Sequence, residues 1–216
     1  MDFARARHLM VESQVRTNDV TDTRILHAMR TLPRERFAPP AQRTLAYADL
    51  ELEVAPGRTL LRPRDLSKLI QALAPQPNER SLELAGATGY GAAVLAACCK
   101  EVLTLDPDAN ISFTAQAALE SAGVANVKAV STETKAGWAD GAPYDVILLN
   151  GASEILPEAW LAQLAQGGRL GVIVREGAAG RARIYTRAGD TIAYRVAFDA
   201  APPVAPGLTR APAFQF

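Results

Sequence analysis

The sequence predicts an α/β fold: an open, mostly parallel sheet with helices on both faces, closed by an antiparallel hairpin near the C-terminus. Three observations carry this. Strand-like and helix-like segments alternate from about residue 57 to 175, as in successive βαβ units. The segment "YDVILLN" (144–150) is almost unbroken in apolar character, as a strand is when helices cover both faces of a parallel sheet. Finally, "RARIYTRAGDTIAYRVAFD" (181–199) places two strand-like runs around Ala188-Gly189-Asp190, the pattern of a hairpin.

Residues 1–56 read as an N-terminal helical extension packed on a core domain of residues 57–216. Met1–Val15 is compatible with a helix. Thr21 is placed to cap a second helix that carries Ile25, Leu26, Met29 and Leu32 at helical spacing. Pro33, Pro39 and Pro40 break the chain after this helix, and "YADLELEVAPG" alternates polar and apolar residues as an extended segment does. Pro63 suits the first turn of a helix reaching Leu73. The expected order is then strand Ser81–Ala85, helix Gly89–Cys99, strand Val102–Asp106, a helix around Ile111–Ala122 and strand Val127–Val130. After strand 144–150 come a helix over Pro157–Leu164, stopped by Gly167-Gly168, and the strand "GGRLGVIV". The proline-rich tail, residues 200–216, is expected to be irregular.

Composition narrows the function. With 216 residues, 49% hydrophobic and 21% charged, the chain can bury a full core. Its formal net charge of zero gives no reason to expect a nucleic acid or an acidic membrane as partner. The two cysteines, Cys98 and Cys99, are adjacent, so they cannot staple distant segments. They read as reduced packing residues, and no cysteine cluster suggests a metal. The opening residues have no continuous apolar core, and no stretch has the apolar length of a membrane span. A cytoplasmic location is expected. Asn110-Ile-Ser112 matches a glycosylation acceptor, read as chance. His8 and His27 fall in the N-terminal helices and read as surface or packing residues.

The chemistry centres on "SLELAGATGYGAAVLAACCKEVLTLD" (81–106), a strand, tight turn, helix and second strand ending in an acid. In open α/β sheets the ligand lies outside the carboxyl ends of the strands. Asp106 sits where a carboxylate can accept hydrogen bonds from both ribose hydroxyls. As a dinucleotide fingerprint the turn fails, because Ala85 and Ala87 stand where glycines are expected. A cofactor without phosphates, such as S-adenosylmethionine, demands less of such a turn, and Glu83, Asp106 and Glu133 could supply polar contacts to it. An alternative reading makes Asp106-Pro107-Asp108 a helix start.

Several segments in order resemble the protein-L-isoaspartate O-methyltransferase family, from about Val11 to Gly177. They are "MRTLPRERFAPP", "AYADLELEVAPGRTL", "LELAGATGYGAAVLA", "NVKAVSTETKAGW" and "APYDVILLNGASEILPEAWLAQLAQGGRL". The resemblance implies a Rossmann-like, S-adenosylmethionine-dependent methyltransferase fold. It also implies methylation of the α-carboxylate of isoaspartyl residues in damaged proteins or peptides, a repair reaction in which the ester collapses to a succinimide. Carried over by position, the methionine end of the cofactor lies near Glu83, Ala85, Gly86 and Ala87, ahead of Gly89 and Tyr90. Asp106 holds the ribose, Thr132 and Glu133 border the adenine, and Asn150 lies beside the cofactor. On the substrate side stand Thr59, Leu61 and Arg62. Here the chain departs from the family, which has serine where Leu61 stands and Gly-Asp-Gly where Thr132-Glu133-Thr134 stands. No catalytic base is assigned: a sulfonium is already a strong methyl donor, and positioning does most of the work. Two alternatives accompany this reading, a same-fold methyltransferase with another acceptor and a non-catalytic binding protein. A NAD-dependent enzyme is a weaker option, because the pyrophosphate turn does not fit.

Overall fold

A computed structural model describes residues 1–211; the last five residues of the proline-rich tail lie outside the described residues. Helix α1 (Phe3–Met10) is capped by Asp2, which accepts from the Arg5 amide at 3.0 Å, and runs on through a π turn at Val11–Val15. Helix α2 (Thr23–Thr31) is capped by Asp22 and not, as the sequence suggested, by Thr21. The Asp22 carboxylate accepts from the Arg24 amide at 2.9 Å, while the Thr21 amide turns away to Gln71 Oε1. Aspartate is at least as good a cap as threonine, and Gln71 takes the amide that Thr21 offers. A hairpin comes next, β1 (Leu52–Ala55) and β2 (Arg58–Leu60), with Gly57 at a φ of +70° in the turn. Its second strand was not legible as a strand because it is only three residues long.

Helix α3 (Pro63–Leu73) leads into the main sheet. Its strands are β3 (Arg80–Leu84), β4 (Glu101–Asp106), β5 (Val127–Ser131), β6 (Tyr144–Ser153), β7 (Leu164–Glu176), β8 (Ala179–Ala188) and β9 (Thr191–Asp199). The helices between them are α4 (Tyr90–Ala96), α5 (Ala109–Ser121) and α6 (Glu158–Ala162). The order across the sheet is β5-β4-β3-β6-β7-β8-β9. Strands β3 to β7 pair in parallel; β8 and β9 add antiparallel. This is the α/β architecture expected, hairpin included.

Gly167-Gly168 does not end a helix: α6 finishes at Ala162, and the glycines lie where the β6–β7 register jumps between Tyr144↔Leu164 and Val146↔Arg169. A Cβ on Gly168 would stand 2.8 Å from the Ala165 carbonyl and 2.9 Å from that of Tyr144, so the bulge admits only glycine there.

Alternation along the strands divides the core between the two faces. On one face Leu82, Leu84, Leu105, Ile147 and Leu149 pack with Trp160 of α6. On the other, Val102, Val146 and Leu148 share a cluster with α3, α4 and the apolar residues of the first 61 positions, including Met10, Ile25, Met29 and Phe37. Cys98 and Cys99 are free and buried, and burial pushes their thiols up to about 12 and about 11. His8 and His27 are exposed. Among the described residues no helix is long and apolar enough to cross a membrane.

Candidate active site

Strand β3 pairs with β4 on one side and β6 on the other, so the strand order reverses there. The crevice outside the carboxyl ends of β3 and β6 is where such a sheet holds a ligand. Four sequence elements converge on it: the turn 85–89, Asp106 closing β4, Thr132 after β5 and Asn150 near the end of β6. The β1–β2 hairpin lies across the top.

The turn answers the question raised by its alanines. Ala85 has a φ of +53° and Ala87 of +49°, both left-handed, and Gly89 comes after them at +87°. An L residue adopts this region at a cost of roughly 1–2 kcal/mol, so the turn keeps the backbone of a glycine turn and carries two strained residues within it. Surrounding bonds hold it there. The Gly86 amide donates to Leu105 O at 2.8 Å and the Gly89 amide to Gly86 O at 2.9 Å. Asn150 Nδ2 donates to both Ala85 O and Thr59 O, each at 3.1 Å, and Thr88 Oγ1 donates to Phe37 O at 2.6 Å.

Glu83 supports this turn from the side of α4. It is fully buried, accepts from Thr104 Oγ1 at 2.7 Å, and burial pushes its carboxyl up to about 8. Gly86 and Gly91 are small for its sake: a Cβ on Gly91 would collide with Glu83 Oε1, and one on Gly86 with Thr104 Oγ1. Tyr90 opens α4 but turns its ring into the core, where the Arg34 guanidinium lies 4.6 Å over it and Phe37 meets it edge-on at 5.5 Å.

Asp106 ends its strand and does not begin a helix. Asp108 caps α5 instead, accepting from the Asn110 and Ile111 amides. The Asp106 carboxylate is 2% exposed and accepts from the Asp108 amide at 2.9 Å. Its other partner is Arg58 of β2, with Nη2 to Oδ1 at 3.2 Å and Nε to the two oxygens at 3.3 and 3.4 Å. Thr132 adjoins it through its amide, which donates to Asp106 O at 3.1 Å; Glu133 is exposed one residue on.

On the substrate side the three named residues diverge. Thr59 borders the crevice through Asn150. The Leu61 side chain is 1% exposed and belongs to the core, and its carbonyl accepts from Arg34 Nη2 at 2.8 Å. Arg62 precedes α3 and pairs with Glu51 at 2.8 Å.

Sequence reasoning missed three contributors. Arg58 had no signal beyond lying in "GRTL". Buried Arg34, which also donates to Ala46 O at 2.7 Å, stood within the quoted "LPRERF". The tail crosses the crevice: Ala152 and residues 203–205 exchange hydrogen bonds at 3.1 and 2.9 Å, and the Glu154 amide donates to Leu208 O at 3.0 Å.

A cavity of about 430 Å³ lies elsewhere, at the amino ends of β3 to β6 between Arg80, Glu101, Lys128, Trp138 and Tyr144. That is the end of the sheet opposite the one where ligands of open α/β sheets bind, so the crevice remains the candidate. Among the described residues no cluster of His, Cys, Asp and Glu is placed to hold a metal.

Comparison with known proteins bears on the family and the fold. The family model described as Protein-L-isoaspartate(D-aspartate) O-methyltransferase (PCMT) matches residues 5–198. The protein-L-isoaspartate O-methyltransferase 1 of Rhodopseudomonas palustris (strain HaA2) is 40% identical over 168 residues, 78% of this chain and 69% of the relative. The enzyme of Methylorubrum populi is 40% identical over 169 residues, 78% of each chain. Among solved structures, a protein-L-isoaspartate O-methyltransferase shares the fold with a TM-score of 0.80 at 23% identity, covering 95% of this chain and 67% of that one. A Plasmodium falciparum protein, described as a putative member of the same family in complex with S-adenosyl-L-homocysteine, gives 0.76 at 16% identity, covering 92% and 97%. With motif order, fold and extended sequence identity in agreement, this chain belongs to the protein-L-isoaspartate(D-aspartate) O-methyltransferase family.

Proposed function

We propose that the chain methylates the α-carboxylate of isoaspartyl residues in proteins or peptides, with the crevice at the β3/β6 switch point holding S-adenosylmethionine. Bound there, the cofactor supplies an activated methyl group on a sulfonium. The observation that carries the reading is the buried Asp106 carboxylate at the carboxyl end of β4, next to the switch-point strand β3. Such a carboxylate in a closed crevice is suited to accept from a ribose diol.

The donor set fits the group. Asp106 takes the ribose, with Thr132 and Glu133 on the adenine side. The turn Ala85–Ala87 offers backbone to the amino-acid end, with Gly89 and Tyr90 fixing the start of α4 behind it. Asn150 ties that turn to Thr59 and so couples the cofactor side to the acceptor side. The acceptor carboxylate needs no base, so the work of these residues is alignment and exclusion of water. Thr59 and Arg62 are the polar groups of the acceptor side, with Leu61 beneath them in the core. A role as a binding protein or with another acceptor is not favoured, since the relatives from Rhodopseudomonas and Methylorubrum carry the isoaspartyl name.

Titration calorimetry with S-adenosylhomocysteine and a methylation assay on an isoaspartyl peptide test the reading together. Binding and turnover are expected in the unmodified chain, with the ordinary aspartyl peptide inert. Binding without methylation of the isoaspartyl peptide would refute the acceptor.

A further inference from the structure

The geometry points to a latch built into the cofactor crevice: Arg58 occupies the carboxylate of Asp106, and the cofactor must displace it to bind. The inference rests on the assignment of Asp106 to the ribose. Both carboxylate oxygens lie within 3.4 Å of the Arg58 guanidinium, and the Asp108 amide takes a further position on Oδ1. A ribose diol needs the directions that the guanidinium fills, so the two contacts are mutually exclusive.

The closure is wider than one ion pair. Residues 85–89, whose backbone would meet the cofactor, are all buried. Gly57, in the turn of the hairpin that carries Arg58, backs onto the tail so closely that a Cβ on it would stand 3.2 Å from Pro206 Cγ. The tail is anchored in turn by Arg175, which donates to Ala201 O at 3.1 Å and Pro202 O at 2.9 Å. The space left between hairpin, turn and tail is about 10 Å³, no more than one water-sized probe. Admission of the cofactor's amino-acid end beside Ala85 therefore requires hairpin and tail to part, and release of Arg58 from Asp106 is the charged step of that opening.

Arg58 thus sets the cofactor affinity. If the latch holds about four-fifths of molecules shut, it weakens apparent binding roughly fivefold. Titration of S-adenosylhomocysteine into the full chain, its Arg58→Gln variant and its Arg58→Lys variant tests this, together with thermal melts without ligand. The expected result is that Arg58→Gln binds about fivefold tighter while its ligand-free midpoint falls, with Arg58→Lys between. A residue with only a structural role would lower both stability and affinity. Affinity unchanged or weakened in Arg58→Gln, with the unmodified chain binding, overturns the latch and leaves the site standing. Absence of binding to all three overturns the site and the latch together. Should Arg58→Gln fail to fold, the comparison with Arg58→Lys decides in the same direction.

Discussion

The side-chain amide of Asn150 donates to the carbonyl of Ala85 at 3.1 Å and so pins a residue whose φ is +53°. The same amide holds the Thr59 carbonyl of the hairpin above. The strained turn is thus held by contacts from β4, β6 and Phe37 together with its own bond between Gly89 and Gly86. Glycine at position 85 or 87 would relieve the strain without breaking a bond, since the contacts use backbone atoms. Ala85→Gly and Ala87→Gly are each expected to raise stability by up to about 1 kcal/mol, the left-handed penalty less the extra chain entropy of glycine. Chemical denaturation measures it; a loss of stability in both would contradict the turn geometry.

Asp106→Ala should abolish or weaken S-adenosylhomocysteine binding by at least about tenfold, since a ribose loses its charged acceptor. Unchanged affinity by calorimetry would remove Asp106 from the site.

Glu83 gives a pH signature. Its carboxyl is raised from 4.5 to about 8 by burial. The folded state therefore keeps a proton that the unfolded state has lost. The stability this confers is present in full below about pH 4.5 and falls as pH rises toward about 8. Glu83→Gln lacks that dependence. The stability difference between variant and parent should move in favour of the variant across this window, by a few kcal/mol in all. Denaturation curves at pH 5, 6.5 and 8 measure it; parallel profiles for the two proteins would show that the group titrates normally.

Arg34→Ala should be among the costlier substitutions, about 3 kcal/mol or more. It removes the donor to Ala46 O and Leu61 O and leaves a cavity beneath the Tyr90 ring. Thermal melts that show less than about 1 kcal/mol would mean that the surrounding segment closes over the gap.

Leu61→Ser restores the residue type of the family but places a hydroxyl in the core. A loss of about 2–4 kcal/mol is expected from the lost apolar packing and the buried polar group. Urea denaturation checks this; neutral behaviour would show that the hairpin lifts the side chain to the surface.

Much of the molecule was legible in the sequence. The alternation of segments gave the sheet and its hairpin because periodicity reflects which faces are buried. Asp106 stood out because an acid ending the second strand has a positional meaning in such folds. The Thr21 cap and the Gly167-Gly168 stop failed for a common reason: local signals compete, and packing chooses among them. A side-chain amide of α3 took the Thr21 amide, and a strand bulge used the two glycines.

What the sequence determined by itself was the order of elements and the family. These come from local periodicity and from motifs whose order is preserved along the chain. Only the tertiary structure decided that Ala85 and Ala87 take left-handed backbone, that Leu61 points into the core, and that Arg58 closes on Asp106 beneath the C-terminal tail. Each of these depends on contacts between segments far apart in the chain. Arg58 and Asp106 are 48 positions apart, and no local pattern encodes which arginine will meet which acid.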